Sequence, residues 1–205
     1  MKKTVVLCLA FIAGFCIMSF ELIGGRLLAP YFGSSVYVWG SIITVFMLAL
    51  SLGYLIGGRY SLNNASLTRF AGIFIAASVS MLPMIAGSEM VMDWVFSMLE
   101  DPRYGSLFAS SLLFLLPTAI MGMIAPYAVR ILTESTYSSG QTAGFLYFVS
   151  TLGSAIGTIM TSFYLVLWLE IDEVFWLVSG LMFCAGVFAL LVSFTEDKMT
   201  LSHTA

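Results

Sequence analysis

The chain has 205 residues, of which 60% are hydrophobic and 9% are charged, and its net charge is −3. Soluble domains carry about 25% charged residues, so this composition excludes a soluble globular protein and indicates an integral membrane protein. The sequence contains no basic patch of the kind that binds nucleic acid, so a nucleic-acid partner is not expected.

Apolar runs predict six transmembrane helices, since a helix needs about 20 apolar residues to cross the bilayer core. The predicted spans cover residues 4–25, 36–58, 70–87, 106–131, 143–169 and 174–194. Between the third and fourth spans, Glu89 to Gly105 mixes acidic and apolar residues and predicts an interfacial helix, with a turn at Asp101-Pro102. We therefore predict an all-α fold, in which residues 1–205 form a single transmembrane domain. This domain is a polytopic six-helix bundle with one interfacial helix.

Prolines predict two interruptions of these helices. The fourth span contains Pro117 and Pro126, and a proline inside a helix removes a backbone hydrogen bond and bends the chain. We therefore do not expect this span to be one straight helix. For the same reason, Pro30 is predicted to stop or bend the chain after the first span.

Basic residues predict the orientation of the bundle. If the N-terminus is cytoplasmic, only Arg26 and Arg103 lie outside. The basic residues that then lie inside are Lys2, Lys3, Arg59, Arg69, Arg130 and Lys198. This bias follows the positive-inside rule. We expect a multi-pass protein of the cell inner (cytoplasmic) membrane, surrounded by the lipid bilayer, with both termini in the cytoplasm.

The sequence gives no sign of a metal site or a catalytic centre. Cys8, Cys16 and Cys184 lie inside apolar runs without metal-ligand spacing, and the only histidine, His203, lies in the polar tail. The spans contain no Ser/His, Cys/His or His/carboxylate constellation. We therefore expect no cofactor, no metal and no catalytic residue, and an enzyme is less well supported than either of the two functions given below.

A carboxylate at membrane depth marks the stretch in which we expect a site. Glu21 lies near the outer end of the first predicted span, before Gly24-Gly25 and Arg26. A charge there costs at least about 2.5 kcal/mol, so such a residue faces protein or water and has a partner. Glu21 is either a structural group, protonated or paired with a hydroxyl of the fifth span, or a functional group that binds a cation or carries a proton. A direct pair with Arg26 requires a break at Gly24-Gly25, because an unbroken helix brings together residues three and four apart.

Hydroxyl and glycine residues recur at helical spacing in the fifth span. The glycine motifs Gly153-xxx-Gly157 and Gly53-xxx-Gly57 favour close packing of helices. The hydroxyl residues Ser150, Ser154 and Thr158 allow two interpretations, helix packing or the lining of a polar passage, with Tyr147 on or near the same face.

Two short motifs occur twice in the chain. The segment Leu22 to Arg26 recurs as Leu55 to Arg59, and Ala29-Pro30-Tyr31 recurs as Ala125-Pro126-Tyr127. Transporters often consist of repeated halves with interrupted helices around a central site. Short matches also arise by chance in apolar sequence, so both interpretations stay open.

Several stretches resemble one family of membrane proteins. The run from Glu21 to Trp39 resembles the first membrane block of the membrane-bound spermidine synthase-like proteins, and Leu48 to Arg59, Leu116 to Pro126 and Gly144 to Thr158 are similar to later parts. The resemblance covers residues 10–165. Such families often join a multi-span region to a cytosolic aminopropyltransferase-like domain. This chain has no Gly-rich nucleotide loop after a strand, so the resemblance implies that a separate soluble protein supplies that activity.

Two functions follow as expectations. The first is a membrane module related to polyamine-type metabolism, which transports or handles a polyamine-like organic cation together with a soluble aminopropyltransferase-like partner. The alternative is a non-transporting scaffold or a subunit of a larger membrane complex; association between copies of this chain is also left open. A carboxylate would supply charge, and aromatic faces would add about 0.5–2 kcal/mol each. The candidate binding residues are Glu21, Arg26, Tyr31, Trp39, Tyr127, Tyr147, Ser150, Ser154 and Thr158.

Overall fold

The computed structural model describes the backbone of residues 2–62, 65–133 and 139–203, and the side chains of these residues up to residue 195. Helices account for nearly all of this part of the chain. They are α1 (Lys2–Phe32), α2 (Val36–Tyr60), α3 (Leu67–Met98), α4 (Pro102–Gly122), α5 (Ile124–Leu132), α6 (Ser139–Met160), α7 (Val166–Trp168) and α8 (Ile171–His203), with a π-helical segment, Thr161–Leu165, between α6 and α7. Six helical stretches are long and apolar enough to cross a membrane, so the predicted all-α polytopic bundle is confirmed.

The first helix is longer than predicted and has no break at Gly24-Gly25. It continues to Phe32, and Pro30 lies inside its last turn. Gly33 then ends it, with a φ of 76° and an N–H that donates to the Ala29 carbonyl at 2.9 Å. This left-handed conformation is a common helix ending, for which glycine pays no steric penalty. The expected interruption near Pro30 was therefore placed too early, and Glu21 lies well inside the helix.

The separate interfacial helix between the third and fourth spans was a wrong prediction. Most of that segment continues α3, because Met92 and Val95 are fully buried and extend the packed face of the helix to Met98. The turn at Asp101-Pro102 is confirmed. The Asp101 carboxylate accepts the Arg103 N–H at 2.8 Å, and Pro102 is the first residue of α4. Both features are typical of a helix start.

The fourth span divides into α4 and α5 at Met123, as its two prolines predict. Pro126 has no N–H to donate to the Gly122 carbonyl, so the helical hydrogen bonding stops and restarts there. Pro117 is accommodated inside α4. Residues on both sides of Met123 line one wall of the cavity described below.

The helix α1 lies at the centre of the bundle and packs against α2, α4, α6 and α8. Phe20 of α1 lies at the middle of an aromatic cluster. Its ring centroid is 5.7 Å from that of Phe46, 5.4 Å from that of Phe114 and 5.5 Å from that of Phe175. Aromatic pairs at such distances contribute about 0.5–1.5 kcal/mol beyond their buried area. The cluster holds α1, α2, α4 and α8 together, whereas α6 packs mainly along α1 from outside.

Glycines bring two pairs of helices into backbone contact, which confirms the packing predicted from their spacing. Gly153 and Gly157 of α6 face the backbone of α1 at Phe11 and Phe15. Gly57 of α2 faces the backbone of Met123, and a Cβ at this position would be 2.6 Å from the Met123 Cα. Such close approach is a main source of helix association in a bilayer, where lipid is as apolar as the side chains.

Buried hydroxyl groups also link neighbouring helices. Each pair joins two different elements at hydrogen-bonding distance, and such bonds average about 0.6 kcal/mol in membrane proteins. The pairs are Ser41–Ser106 at 2.9 Å, Ser78–Ser179 at 3.0 Å and Ser19–Thr161 at 2.8 Å. The last pair joins α1 to the π-helical segment, so it fixes the outer part of the α6 span against α1.

The glycine contact between α1 and α6 makes a prediction about stability. In Gly153→Ala the new Cβ overlaps the Phe11 carbonyl oxygen, and we expect a loss of about 1–3 kcal/mol from overpacking. Gly144→Ala is the matched control, because it lies on the same helix with no atom within 4 Å of the new Cβ. Thermal unfolding in mild detergent measures both. Equal melting temperatures for the two variants would contradict the close packing.

Candidate functional site

A cavity of about 200 Å³ lies between α1, α2, α6 and the junction of α4 with α5. Its lining is mostly apolar, with one group of hydroxyl-bearing residues contributed by α2 and α6. These residues are Tyr54, Tyr147, Ser150, Thr151 and Ser154. The cavity therefore brings together three of the predicted site residues, Tyr147, Ser150 and Ser154, with two that were not predicted.

Short side chains leave this space open. On the cavity side, α1 presents Ala10, Ala13 and Gly14, and the α4–α5 junction presents Gly122 and Ala125. None of these residues can fill the gap between helices that are held apart by the larger side chains around them. The sequence thus produces a cavity where a small-residue surface of α1 faces small residues at the junction of α4 with α5.

Glu21 lies one helical turn beyond the cavity. The lining residues Ile17 and Met18 precede it by four and three positions, so all three share one face of α1. Side chains of a helix tilt toward its N-terminus, which for Glu21 is the direction of the cavity. At 1.5 Å per residue, Glu21 lies about 16 Å before the end of α1, deeper than the sequence suggested.

The Glu21 carboxylate has no protein partner among the residues that the structure describes. It is half-buried, and it forms neither a hydrogen bond nor an ion pair within this part of the chain. The pairing with a hydroxyl of the fifth span, which was one alternative, is therefore not seen. A carboxylate at this depth needs compensation, so an external partner or a proton has to provide it.

Trp39 lies on the same face of α1, one further turn outward. Its ring packs on Gly25, where a Cβ would be 2.8 Å from the Cη2 atom of the indole. Because Gly25 follows Glu21 by four residues, Glu21 lies between Trp39 and the cavity along the helix. The structure thus places Trp39 near Glu21, but outside the cavity lining.

Arg26 lies on a different face of α1 and interacts with the π-helical end of the α6 span. Its Nη1 donates to the Val166 carbonyl at 3.2 Å. That carbonyl has no helical partner, because the Glu170 N–H donates to the Glu173 carboxylate at 3.0 Å. A direct pair between Arg26 and Glu21, which would have required a break at Gly24-Gly25, is not formed, because α1 is unbroken and the two residues diverge around the helix.

Tyr31 also lies away from Glu21, at the outer end of α1. Its hydroxyl donates to Asp93 Oδ1 at 2.9 Å. Tyr31 and Arg26 line a second pocket, of about 570 Å³, together with Glu89, Glu170 and Asp172. The two pockets share no lining residue and lie at different levels along α1, so the structure separates these two predicted residues from the cavity.

Tyr127 is a core residue at the opposite end of the bundle from Trp39. It is fully buried, and its ring stacks on Phe70 with the centroids 5.8 Å apart. Its hydroxyl accepts the Ser66 N–H at 3.2 Å. These contacts join α5 to the start of α3. Helix packing alone therefore accounts for the burial of Tyr127, and no ligand is needed to explain it.

Two hydroxyl groups of α6 form hydrogen bonds to backbone carbonyls. Thr158 donates to the Ser154 carbonyl at 2.9 Å and does not line the cavity. The Ser154 hydroxyl lies 3.2 Å from the carbonyl oxygens of both Gly14 and Ser150. It can donate to only one of them at a time, so its lone pairs stay available to a donor in the cavity. Helix packing and a polar lining are therefore combined at Ser154.

Sequence reasoning missed Tyr54 and Thr151. Thr151 follows Tyr147 by four residues, so helical spacing already places the two on one face of α6. Tyr54 belongs to α2, and only the arrangement of the helices shows that it shares a cavity with α6.

Comparisons of the chain with protein-family models, with curated proteins and with solved structures gave no match.

The environment of Tyr127 makes a second prediction. Tyr127→Phe keeps the ring stacking but leaves the Ser66 N–H without its partner, so we expect a loss of about 1 kcal/mol in stability. Cation binding should be unchanged. Tyr104→Phe, at a residue that is 66% exposed, serves as the control and should have no effect on unfolding. A binding defect in Tyr127→Phe without a stability defect would contradict a structural role.

Proposed function

We propose that this protein binds a polyamine-like organic cation in the cavity beside Glu21 and transports or handles it within the membrane. The observation that carries the proposal is a half-buried carboxylate at membrane depth without a protein partner, one turn from a cavity lined by hydroxyl groups. The resemblance to the membrane region of spermidine synthase-like proteins supports a polyamine as the cation class.

The chemistry of the lining suits an ammonium group. An ammonium carries three N–H donors and no acceptor, and the hydroxyl oxygens of Tyr54, Tyr147 and Ser150 can accept from it. Aromatic faces attract a cation by about 0.5–2 kcal/mol each, and both tyrosines line the cavity. The cation would also neutralise Glu21, whose charge is otherwise costly at this depth.

The distribution of basic residues supports an inner-membrane protein with cytoplasmic termini. The cavity would then lie in the cytoplasmic half of the bundle, because Tyr54 is near the end of α2 and Tyr147 near the start of α6. This position would suit exchange of the cation with a soluble aminopropyltransferase-like partner. That partner is part of the proposal and rests on the resemblance.

A second candidate function, a scaffold or subunit of a larger membrane complex, is favoured by the packing of the α6 span. Only 17% of this span is buried inside the bundle, against 39–50% for the other spans. A helix so little covered offers a long face to another chain or to lipid. This face could hold a further subunit or a second copy.

The role of Glu21 is tested by Glu21→Gln, which keeps the shape of the side chain and removes its charge. We expect spermidine binding in proteoliposomes to weaken by about tenfold or more, because a hydrogen bond to a charged group contributes about 1.5–3 kcal/mol. Glu100→Gln, at an exposed residue between α3 and α4, is the matched control and should bind normally. Equilibrium binding of radiolabelled spermidine measures both variants.

Unchanged binding in Glu21→Gln would remove this residue from the mechanism. No spermidine binding in the native protein, together with a stoichiometric companion protein after purification in mild detergent, would favour the scaffold instead. Normal thermal unfolding of Glu21→Gln is required in either case, so that a folding defect is not mistaken for a binding defect.

A further inference from the structure

The cavity beside Glu21 opens sideways. Of its lining residues, three are exposed, namely Tyr54, Tyr147 and Thr151, and all three belong to α2 or α6. Tyr54 is 48% exposed and Tyr147 is 52% exposed. The residues contributed by α1 and by the α4–α5 junction are buried or half-buried. The opening therefore lies between α2 and α6 rather than at an end of the bundle.

The two helices that flank the opening do not pack against each other. α2 packs mainly on α4, whereas α6 packs mainly on α1. Among the residues that the structure describes, α2 and α6 form no packed interface with each other, and each of them contacts α1 and α5. The result is a gap in the wall of the bundle, with the cavity behind it and α5 at its lower edge.

The depth of this gap is within one leaflet of the bilayer. α2 has 25 residues and is about 37 Å long, whereas the hydrocarbon core is about 30 Å thick. Tyr54 lies about 9 Å before the end of α2, and Tyr147 about 12 Å after the start of α6. Both tyrosines are thus near the hydrocarbon boundary on the N-terminal side of the membrane, a depth at which tyrosine is enriched.

We infer that the ligand of this cavity is an amphiphilic amine that enters from that leaflet, with its ammonium group toward Glu21 and its alkyl chain in the gap between α2 and α6. This inference rests on the cation site at Glu21 in the proposed function, and it replaces the linear polyamine with an amine that has one charge and an apolar chain. It is argued from the charge of Glu21, one helical turn beyond the cavity lining, and from the position of the opening. A long-chain amine partitions into the same leaflet as the opening, so it can reach the gap from the side.

The lining supports an amphiphile over a fully hydrophilic polyamine. The polar groups are confined to α2 and α6, and the remaining wall is apolar, with residues such as Ile17, Leu50 and Ile124. A linear polyamine carries several charges, and each needs its own compensation at this depth. Glu21 supplies one negative charge, which matches an amine with a single ammonium group and an apolar chain.

The test uses the 205-residue protein in phosphatidylcholine liposomes and a dodecylamine with a photoreactive diazirine in the middle of its alkyl chain. After illumination, we expect labelled peptides to carry the probe at Tyr54, Tyr147 or Thr151. Thr151→Trp, which narrows the opening, should reduce labelling about tenfold, a loss comparable to that of one good binding contact. Leu152→Trp is the control on the same helix, because Leu152 is 45% exposed but does not line the cavity. Glu21→Gln should also lose labelling.

The outcomes separate this inference from the proposed function. Labelling of Leu152 as strong as that of Thr151 in the native protein, which needs no variant to fold, would overturn entry through the gap. Equal labelling by the uncharged dodecanol analogue would overturn the requirement for an ammonium group. If spermidine binds in a manner that depends on Glu21 while dodecylamine does not label the cavity, the proposed function stands and the amphiphile is rejected. If neither spermidine binding nor dodecylamine labelling depends on Glu21, both the proposed function and this inference are rejected.

Discussion

The structure depends on one continuous helix, α1, which has different surroundings on three of its faces. One face of α1 carries Phe20 into the aromatic cluster that joins α2, α4 and α8. A second face exposes its backbone to the glycines of α6. A third face carries small residues and Glu21. Because lipid provides little driving force for helix association, van der Waals packing has to hold the bundle. α1 can serve all its neighbours only if it remains unbroken over its full length.

The same constraint explains why a cavity lies next to Glu21. Glu21 shares its face with residues too small to fill the space beside them, so the close contacts of the other two faces leave a cavity here. A larger residue at Ala13 or Gly14 would close this space, but at Gly14 it would also collide with α6 at Ser150. The packing of α1 with α6 and the presence of the cavity are therefore linked through the same small residues.

The outer end of α1 is held differently from its middle. Arg26 bonds to the carbonyl of Val166 and Tyr31 bonds to Asp93, so two side chains connect α1 to the ends of the α6 span and of α3. The π-helical segment Thr161–Leu165 is part of this arrangement, since Thr161 bonds to Ser19. π-helical turns are frequent near functional sites. Here Thr161 of the turn and the Val166 carbonyl directly after it bond to side chains of α1, which fixes that end of the helix while the gap toward α2 remains.

The sequence by itself determined the number of spans, the interruption of the fourth span and the glycine contacts between helices. These features depend on hydropathy, on the missing N–H of proline and on residue size, all of which are local properties. It also marked Glu21 and three of the cavity residues as candidate site residues. A carboxylate inside an apolar run and hydroxyl residues at helical spacing can both be recognised from the order of residues along the chain. Only the tertiary structure decided that Arg26 bonds to Val166, that Tyr127 is a core residue and that Tyr54 joins the cavity. Each of these depends on how far one helix is rotated and shifted against another, and no single helix carries that information.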